Sequence, residues 1–121
     1  PDVSLVIEAK TQITDALHKV DAGQLVLSLQ WFERSYPTRA QPVPIIVAKS
    51  GLADRKSDFP DGTRILTASG VQKLLDNIHE FYEDMVRDPE KSTSKLAERL
   101  AKRHLGASQF VSTYTQPLQG K

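Results

Sequence analysis

Two apolar segments and one apolar periodicity organise the first half of the chain. Residues 3–9 (VSLVIEA) and 43–48 (VPIIVA) are nearly continuous apolar runs rich in β-branched residues, which is typical of strands buried on both faces. Between them, apolar residues at intervals of three or four predict a helix over residues 22–35, namely Leu25, Leu29, Phe32 and Tyr36. Strand, helix and strand form a βαβ unit, so we expect the two strands to lie side by side and parallel.

A capping pattern predicts where this helix begins. Asp21 precedes Gln24 by three residues, which is the spacing of an N-cap acid and a glutamine at the third helical position. Capping alone would therefore explain Gln24.

The second half of the chain has fewer strand signals and more helix. Residues 64–67 predict a short third strand, and an apolar stripe with an acidic opposite face predicts an amphipathic helix over about 70–87. A last helix is expected up to Gly106 from its apolar residues Leu96, Ala97, Leu100, Ala101 and Leu105. Residues 107–121 show no period, so we expect one α/β domain over 1–106 followed by a poorly ordered tail.

Composition narrows the class of protein. The 121 residues are 39% apolar and 26% charged, without a signal-peptide layout or an apolar run of the roughly 20 residues that a membrane helix needs. We therefore expect a cytoplasmic protein that does not bind membranes. The absence of cysteine excludes disulfides and thiolate metal sites. The net charge of +1 means that attraction to DNA has to be local.

The first predicted strand ends in an unusual pair of charges. Glu8 and Lys10 are two residues apart, so both side chains lie on the same face of the strand. One interpretation is a surface salt bridge at the strand end. The other is a phosphodiester-cleaving site, in which Glu8 binds a divalent cation and Lys10 steadies the attacking water or the charge on a phosphate.

At these residues the sequence resembles the PD-(D/E)XK nuclease superfamily, which includes restriction endonucleases and Holliday-junction resolvases. The matching features are Pro1-Asp2, then Glu8-Ala9-Lys10 closing an apolar strand, a helix that carries Gln24, and the strand VPIIVA. They cover about the first 50 residues. The resemblance implies a restriction-endonuclease-like α/β core and a DNA endonuclease that uses Mg²⁺, or Mn²⁺ in its place.

The resemblance also implies roles for individual residues. Glu8 would be a metal ligand, Lys10 the catalytic lysine, and Gln24 the glutamine that some branches keep on the following helix. Asp2 would be the other acid of the metal site. On one straight strand Asp2 and Glu8 would lie about 20 Å apart at roughly 3.3 Å per residue, so either the chain bends sharply between them or that acid lies upstream. Since the chain opens on Pro1 without an initiator methionine, we expect a segment of a larger protein.

Basic residues of the last predicted helix are candidates for contact with DNA. Lys95, Arg99 and Arg103 could bind phosphates, although a solvated helix face would look the same in the sequence. Trp31, with Phe32 and Tyr36, is expected to belong to the core or to a helix-packing patch.

Two functions remain open from the sequence. One is the metal-dependent nuclease; the other is a non-catalytic nuclease-like module for DNA binding or protein assembly. DNA is the expected partner in the first case, and a second copy of the chain or other domains of a larger parent could accompany it in either.

Overall fold

The computed structural model describes residues 3–9, 17–49, 52–88, 98 and 106–120. Its strands are β1 (Leu5–Ala9), β2 (Val43–Val47), β3 (Leu52–Ala53), β4 (Arg64–Leu66), β5 (Gln116–Pro117) and β6 (Gln119–Gly120), and its α-helices are α1 (Lys19–Ser35), α2 (Ala68–Arg87) and α3 (Ala107–Tyr114). A 3-10 turn, Lys56–Asp58, lies between β3 and β4.

The centre of the fold is a four-stranded sheet in the order β1-β2-β4-β5. β1 pairs in parallel with β2, with Glu8 opposite Ile46, and β2 pairs in parallel with β4. β5 is antiparallel to β4, and β3 and β6 form a separate parallel pair. The parallel pairing of the first two long strands and the short third strand confirm those predictions, and the chain is a mixed α/β protein with a mostly parallel sheet.

Helices cover both faces of this sheet. On one face, Leu25 of α1 packs in a cluster with Ile46. On the other, Tyr114 of α3 packs with Ile45 and Leu66, and the first half of α2 lies against the same cluster. β2 is buried on both faces because the neighbours Ile45 and Ile46 point to opposite helical layers.

Strand β1 does not fit the prediction of a strand buried on both faces. Val6, toward α1, is 9% exposed, whereas the next residue, Ile7, is 49% exposed. Among the described strands β1 lies at the edge of the sheet, where the α2 and α3 layer gives Ile7 only partial cover. An apolar run in the sequence does not distinguish an edge strand from a central one.

Helix α1 begins one turn earlier than the capping pattern predicted. Its N-cap is His18, in an extended conformation with φ −117° and ψ 173°, and Asp21 is the third helical residue. The Asp21 carboxylate accepts the backbone N–H of His18 at 2.7 Å. The assignment of Asp21 as N-cap is therefore wrong: Asp21 is the acid at the third helical position, which accepts the N–H of the N-cap residue in a capping box. Gln24 lies inside the helix and does not cap it.

Residues 107–120, where the sequence led us to expect a poorly ordered tail, form a helix and two short strands. Gly106 is the N-cap of α3 with a φ of 119°, and α3 is followed by the two short strands β5 and β6. Tyr114 and Leu118 are 5% and 2% exposed. Tyr114 belongs to the hydrophobic cluster on the α2 and α3 side of the sheet, and Leu118 belongs to the cluster on the α1 side. The helix expected between residues 95 and 105 lies outside the described residues except for Glu98, which is helical.

Helix α2 agrees with its prediction. Its first half packs closely on α3 at Gly70. A Cβ added there would lie only 2.5 Å from the carbonyl oxygen of Tyr114. Its second half leaves Tyr82 and Val86 56% and 81% exposed. None of the described helices is long and apolar enough to cross a membrane.

Candidate functional site

Glu8 lies near the carboxyl end of β1, on the face that packs against α1. It shares this face with Val6, two residues earlier, and its side chain is partly buried. The carboxyl ends of the parallel strands are the edge of an α/β sheet at which ligands commonly bind. Glu8 therefore lies near the edge of the sheet that is formed by the carboxyl ends of the parallel strands.

One hydrogen bond fixes the Glu8 carboxylate. The Ser28 hydroxyl of α1 donates to Oε2 of Glu8 at 2.7 Å, in a partly buried setting. The bond joins the first strand to the crossover helix, and among the described residues no hydrogen bond to the other carboxylate oxygen, Oε1, accompanies it. Sequence reasoning missed Ser28, since its contact depends on how α1 is rotated over the sheet and no local motif marks it.

Gln24 lies on the same side of α1 as Ser28. It precedes Ser28 by one turn, which places their Cβ atoms about 5–6 Å apart, and its side chain is exposed. The crossover helix of a βαβ unit runs antiparallel to its strands, so Gln24 lies closer than Ser28 to the carboxyl edge of the sheet. We call Glu8, Ser28 and Gln24 the Glu8 strip: the hydrogen bond joins Glu8 to Ser28, and helical spacing alone places Gln24 beside Ser28.

The remaining predicted site residues lie outside the described residues. These are Asp2, Lys10, Lys95, Arg99 and Arg103. Their roles stay predictions, and so does the pairing of Glu8 with Lys10.

The donors of the Glu8 strip suit a hard cation. Carboxylate and amide oxygens are ligands that Mg²⁺ accepts, and Mg²⁺ often uses only one or two protein carboxylates together with water. In the part of the chain that the structure describes, no three His, Cys, Asp or Glu side chains come together as a metal-binding group. The described strip therefore supplies one carboxylate, and Asp2 is the candidate for a second.

A second polar cluster, at the start of α1, has a structural explanation. Nδ1 of His18 lies 2.5 Å from Oδ2 of Asp54, and both side chains are about half exposed. Beside them, Leu17 donates its N–H to Leu52 and accepts the N–H of Asp54, at 2.8 and 3.0 Å. The pair thus fastens the start of α1 to β3.

The aromatic residues at the end of α1 were expected in the core or in a helix-packing patch, and they divide between the two. Phe32 packs against the core, but Trp31 and Tyr36 are 58% and 45% exposed. Trp31 follows Ser28 by three residues, so it lies on the adjoining turn at the other end of the Glu8 strip from Gln24. Of the two expectations for this group, a core position does not hold for Trp31, which α1 turns away from the sheet, whereas the Trp31–Tyr36 and Phe32–Tyr36 ring contacts fit a packing patch on the helix.

The comparisons with known proteins add no family. The chain matches no protein-family model, and no curated protein or solved structure is significantly similar to it.

Proposed function

We propose that this chain is a restriction-endonuclease-like domain that hydrolyses phosphodiester bonds of DNA with a divalent cation. The observation that carries the proposal is the Ser28–Glu8 hydrogen bond. It holds a carboxylate at the carboxyl end of a strand in a parallel βαβ unit, which is the context that the E-x-K motif requires. An isolated surface salt bridge would need no such partner on the crossover helix.

Each residue of the site has a distinct role in this proposal. Glu8 binds the cation through the carboxylate oxygen that Ser28 leaves available, and Gln24 orients a water or a phosphate oxygen one turn away. Lys10 positions the attacking water or stabilises the negative charge that develops on the phosphate. Asp2 is the second acid of the metal site. A bound Mg²⁺ or Mn²⁺ supplies polarisation of the phosphoryl oxygen and a more acidic water.

Cleavage of supercoiled plasmid by the protein in the presence of Mg²⁺ tests this function. Glu8→Ala removes a metal ligand and should abolish cleavage, whereas Lys10→Ala should slow the chemical step while metal binding persists. Glu83→Ala is the matched control, since Glu83 is an exposed glutamate on α2 that pairs with His79. Cleavage by Glu8→Ala at the wild-type rate would rule out the proposal.

The second candidate function is a non-catalytic module for DNA binding or protein assembly. The exposed apolar side chains Leu75, Tyr82 and Val86 on one face of α2 favour it, because contiguous apolar surface often marks a protein interface. This function predicts no cleavage by any variant with Mg²⁺ or Mn²⁺.

A further inference from the structure

The exposed face of Trp31 is the feature that the proposed function leaves unexplained. Trp31 is the only tryptophan of the chain and is 58% exposed on α1. A large aromatic side chain stabilises a fold mainly through burial, so an indole in this position contributes little to the core. Its Cβ lies about 5–6 Å from that of Ser28 by helical spacing, and the Ser28 hydroxyl donates to the carboxylate that we assign to the cation.

The surroundings of Trp31 hold its ring in place without covering it. The Tyr36 ring meets Trp31 in a T-shaped contact, with ring centroids 6.2 Å apart and planes at 82°. The Tyr36 ring also contacts the Phe32 ring, with centroids 5.1 Å apart, and Phe32 packs against the core. A T-shaped contact covers at most one face of the indole, so a flat ligand can stack on the other.

Positive charge borders this aromatic group. Arg34 lies one turn after Trp31 in the last turn of α1, and the Arg39 guanidinium lies 5.9 Å from the centroid of the Tyr36 ring. Aromatic rings next to arginines are the combination that single-stranded nucleic acid binds, with bases on the rings and phosphates near the cations.

We propose that Trp31 stacks against an unpaired base next to the phosphate that is cleaved at Glu8, and that the substrate is single-stranded or frayed DNA. The proposal rests on the nuclease function and names its substrate class. Bases of an intact duplex are stacked on one another, and extruding one costs a few kcal/mol. A base that is already unpaired reaches Trp31 without that cost.

The fluorescence of Trp31 tests this proposal directly, because no other tryptophan contributes to the signal. The full chain is titrated without divalent cation with a 15-nucleotide strand, and separately with the duplex of the same sequence. We expect the single strand to quench the emission at concentrations at which the duplex leaves it unchanged. Equal quenching by both would overturn the single-strand preference, and no quenching by either would overturn the stacking.

Variants measure what the indole contributes to binding. With a labelled single strand and anisotropy detection, Trp31→Ala should weaken binding about 5- to 150-fold, and Trp31→Phe should weaken it less. Leu27→Ala is the matched control, since Leu27 is 59% exposed on the same helix, and it should bind as the wild type does. Unchanged binding by Trp31→Ala would overturn the proposal, as would an emission shift with protein concentration alone, which would show that a second copy covers Trp31.

The two proposals fail in different ways. If Glu8→Ala still cleaves DNA while the single strand quenches Trp31, the assignment of Glu8 is wrong and the stacking stands. If Glu8→Ala is inactive while Trp31→Ala binds and cleaves single strands normally, the nuclease stands and the substrate assignment is wrong.

Discussion

The carboxylate of Glu8 takes its orientation from a single side chain on the crossover helix. Within the described residues, Ser28 is its hydrogen-bond partner, at 2.7 Å. Groups that hydrogen-bond to a metal ligand orient it and raise the affinity of the site. Under the proposed function Ser28 would therefore be a positioning residue and Glu8 the ligand.

Replacing Ser28 should weaken cation binding without removing the ligand. We expect Ser28→Ala to lower Mn²⁺ affinity about 10- to 100-fold, measured by calorimetry on the full chain. Ser28→Thr keeps the hydroxyl and should restore most of that affinity. Ser35→Ala, at the exposed end of the same helix, should have no effect. Wild-type affinity in Ser28→Ala would remove Ser28 from the site.

At the scale of elements, strong periodicity was predictable and short elements were not. The apolar stripe of α2 and the apolar runs of β1 and β2 predicted the positions of these elements well, because several residues in each follow the same hydrophobic pattern. α3 has eight residues, and Phe110, Val111 and Tyr114 follow helical spacing for one turn only. Helix α3 is therefore recognised from its packing against the core in the structure and not from a periodic pattern in the sequence.

The two glycines inside helices should respond to alanine in opposite directions. Gly70→Ala should lower the free energy of unfolding by about 1–3 kcal/mol, because its Cβ would meet the Tyr114 carbonyl at 2.5 Å. Gly23 has nothing within 4 Å of its Cβ position, so Gly23→Ala should raise the free energy of unfolding by about 0.5–1 kcal/mol. Urea denaturation measures both. Equal effects would contradict the close contact of α2 with α3.

The contribution of the C-terminal segment is measurable at Leu118. Leu118 is 2% exposed and belongs to the α1-side core, so Leu118→Ala should cost about 2–5 kcal/mol of unfolding free energy. Leu27→Ala, at an exposed leucine, should change it by less than about 0.5 kcal/mol. If Leu118→Ala were equally harmless, the segment would not be part of the folded domain.

At the scale of the whole molecule, the sequence predicted the βαβ unit and the position of Glu8 but not the neighbours of Glu8. Parallel pairing follows from the order of strand, helix and strand. The contact with Ser28 and the exposure of Trp31 depend on the rotation of α1, which one apolar face constrains only loosely. Nor did the sequence show that β1 would lie at an edge among the described strands, since an apolar run looks the same in an edge strand and in a central one.

The basic residues of segment 95–105 supply a prediction for the whole molecule. If Lys95, Arg99 and Arg103 contact phosphates, changing all three to glutamine should weaken DNA binding and make it less dependent on salt. The slope of log affinity against log salt should fall by about 0.7 for each lost contact on single strands. Arg55→Gln with Arg87→Gln is the control pair, on the 3-10 turn and α2. An unchanged slope in the triple variant would assign these residues to a solvated helix face.

The location of a bound Mn²⁺ ion tests the central claim most directly, because it depends on neither cleavage nor substrate. Paramagnetic Mn²⁺ broadens amide NMR signals near its site, so substoichiometric Mn²⁺ added to the full chain should first broaden those of Glu8, Gln24 and Ser28. Glu8→Ala should abolish this broadening, and Glu83→Ala should leave it intact. Broadening that centres elsewhere, or that persists in Glu8→Ala, would contradict the assignment of Glu8 as the metal ligand.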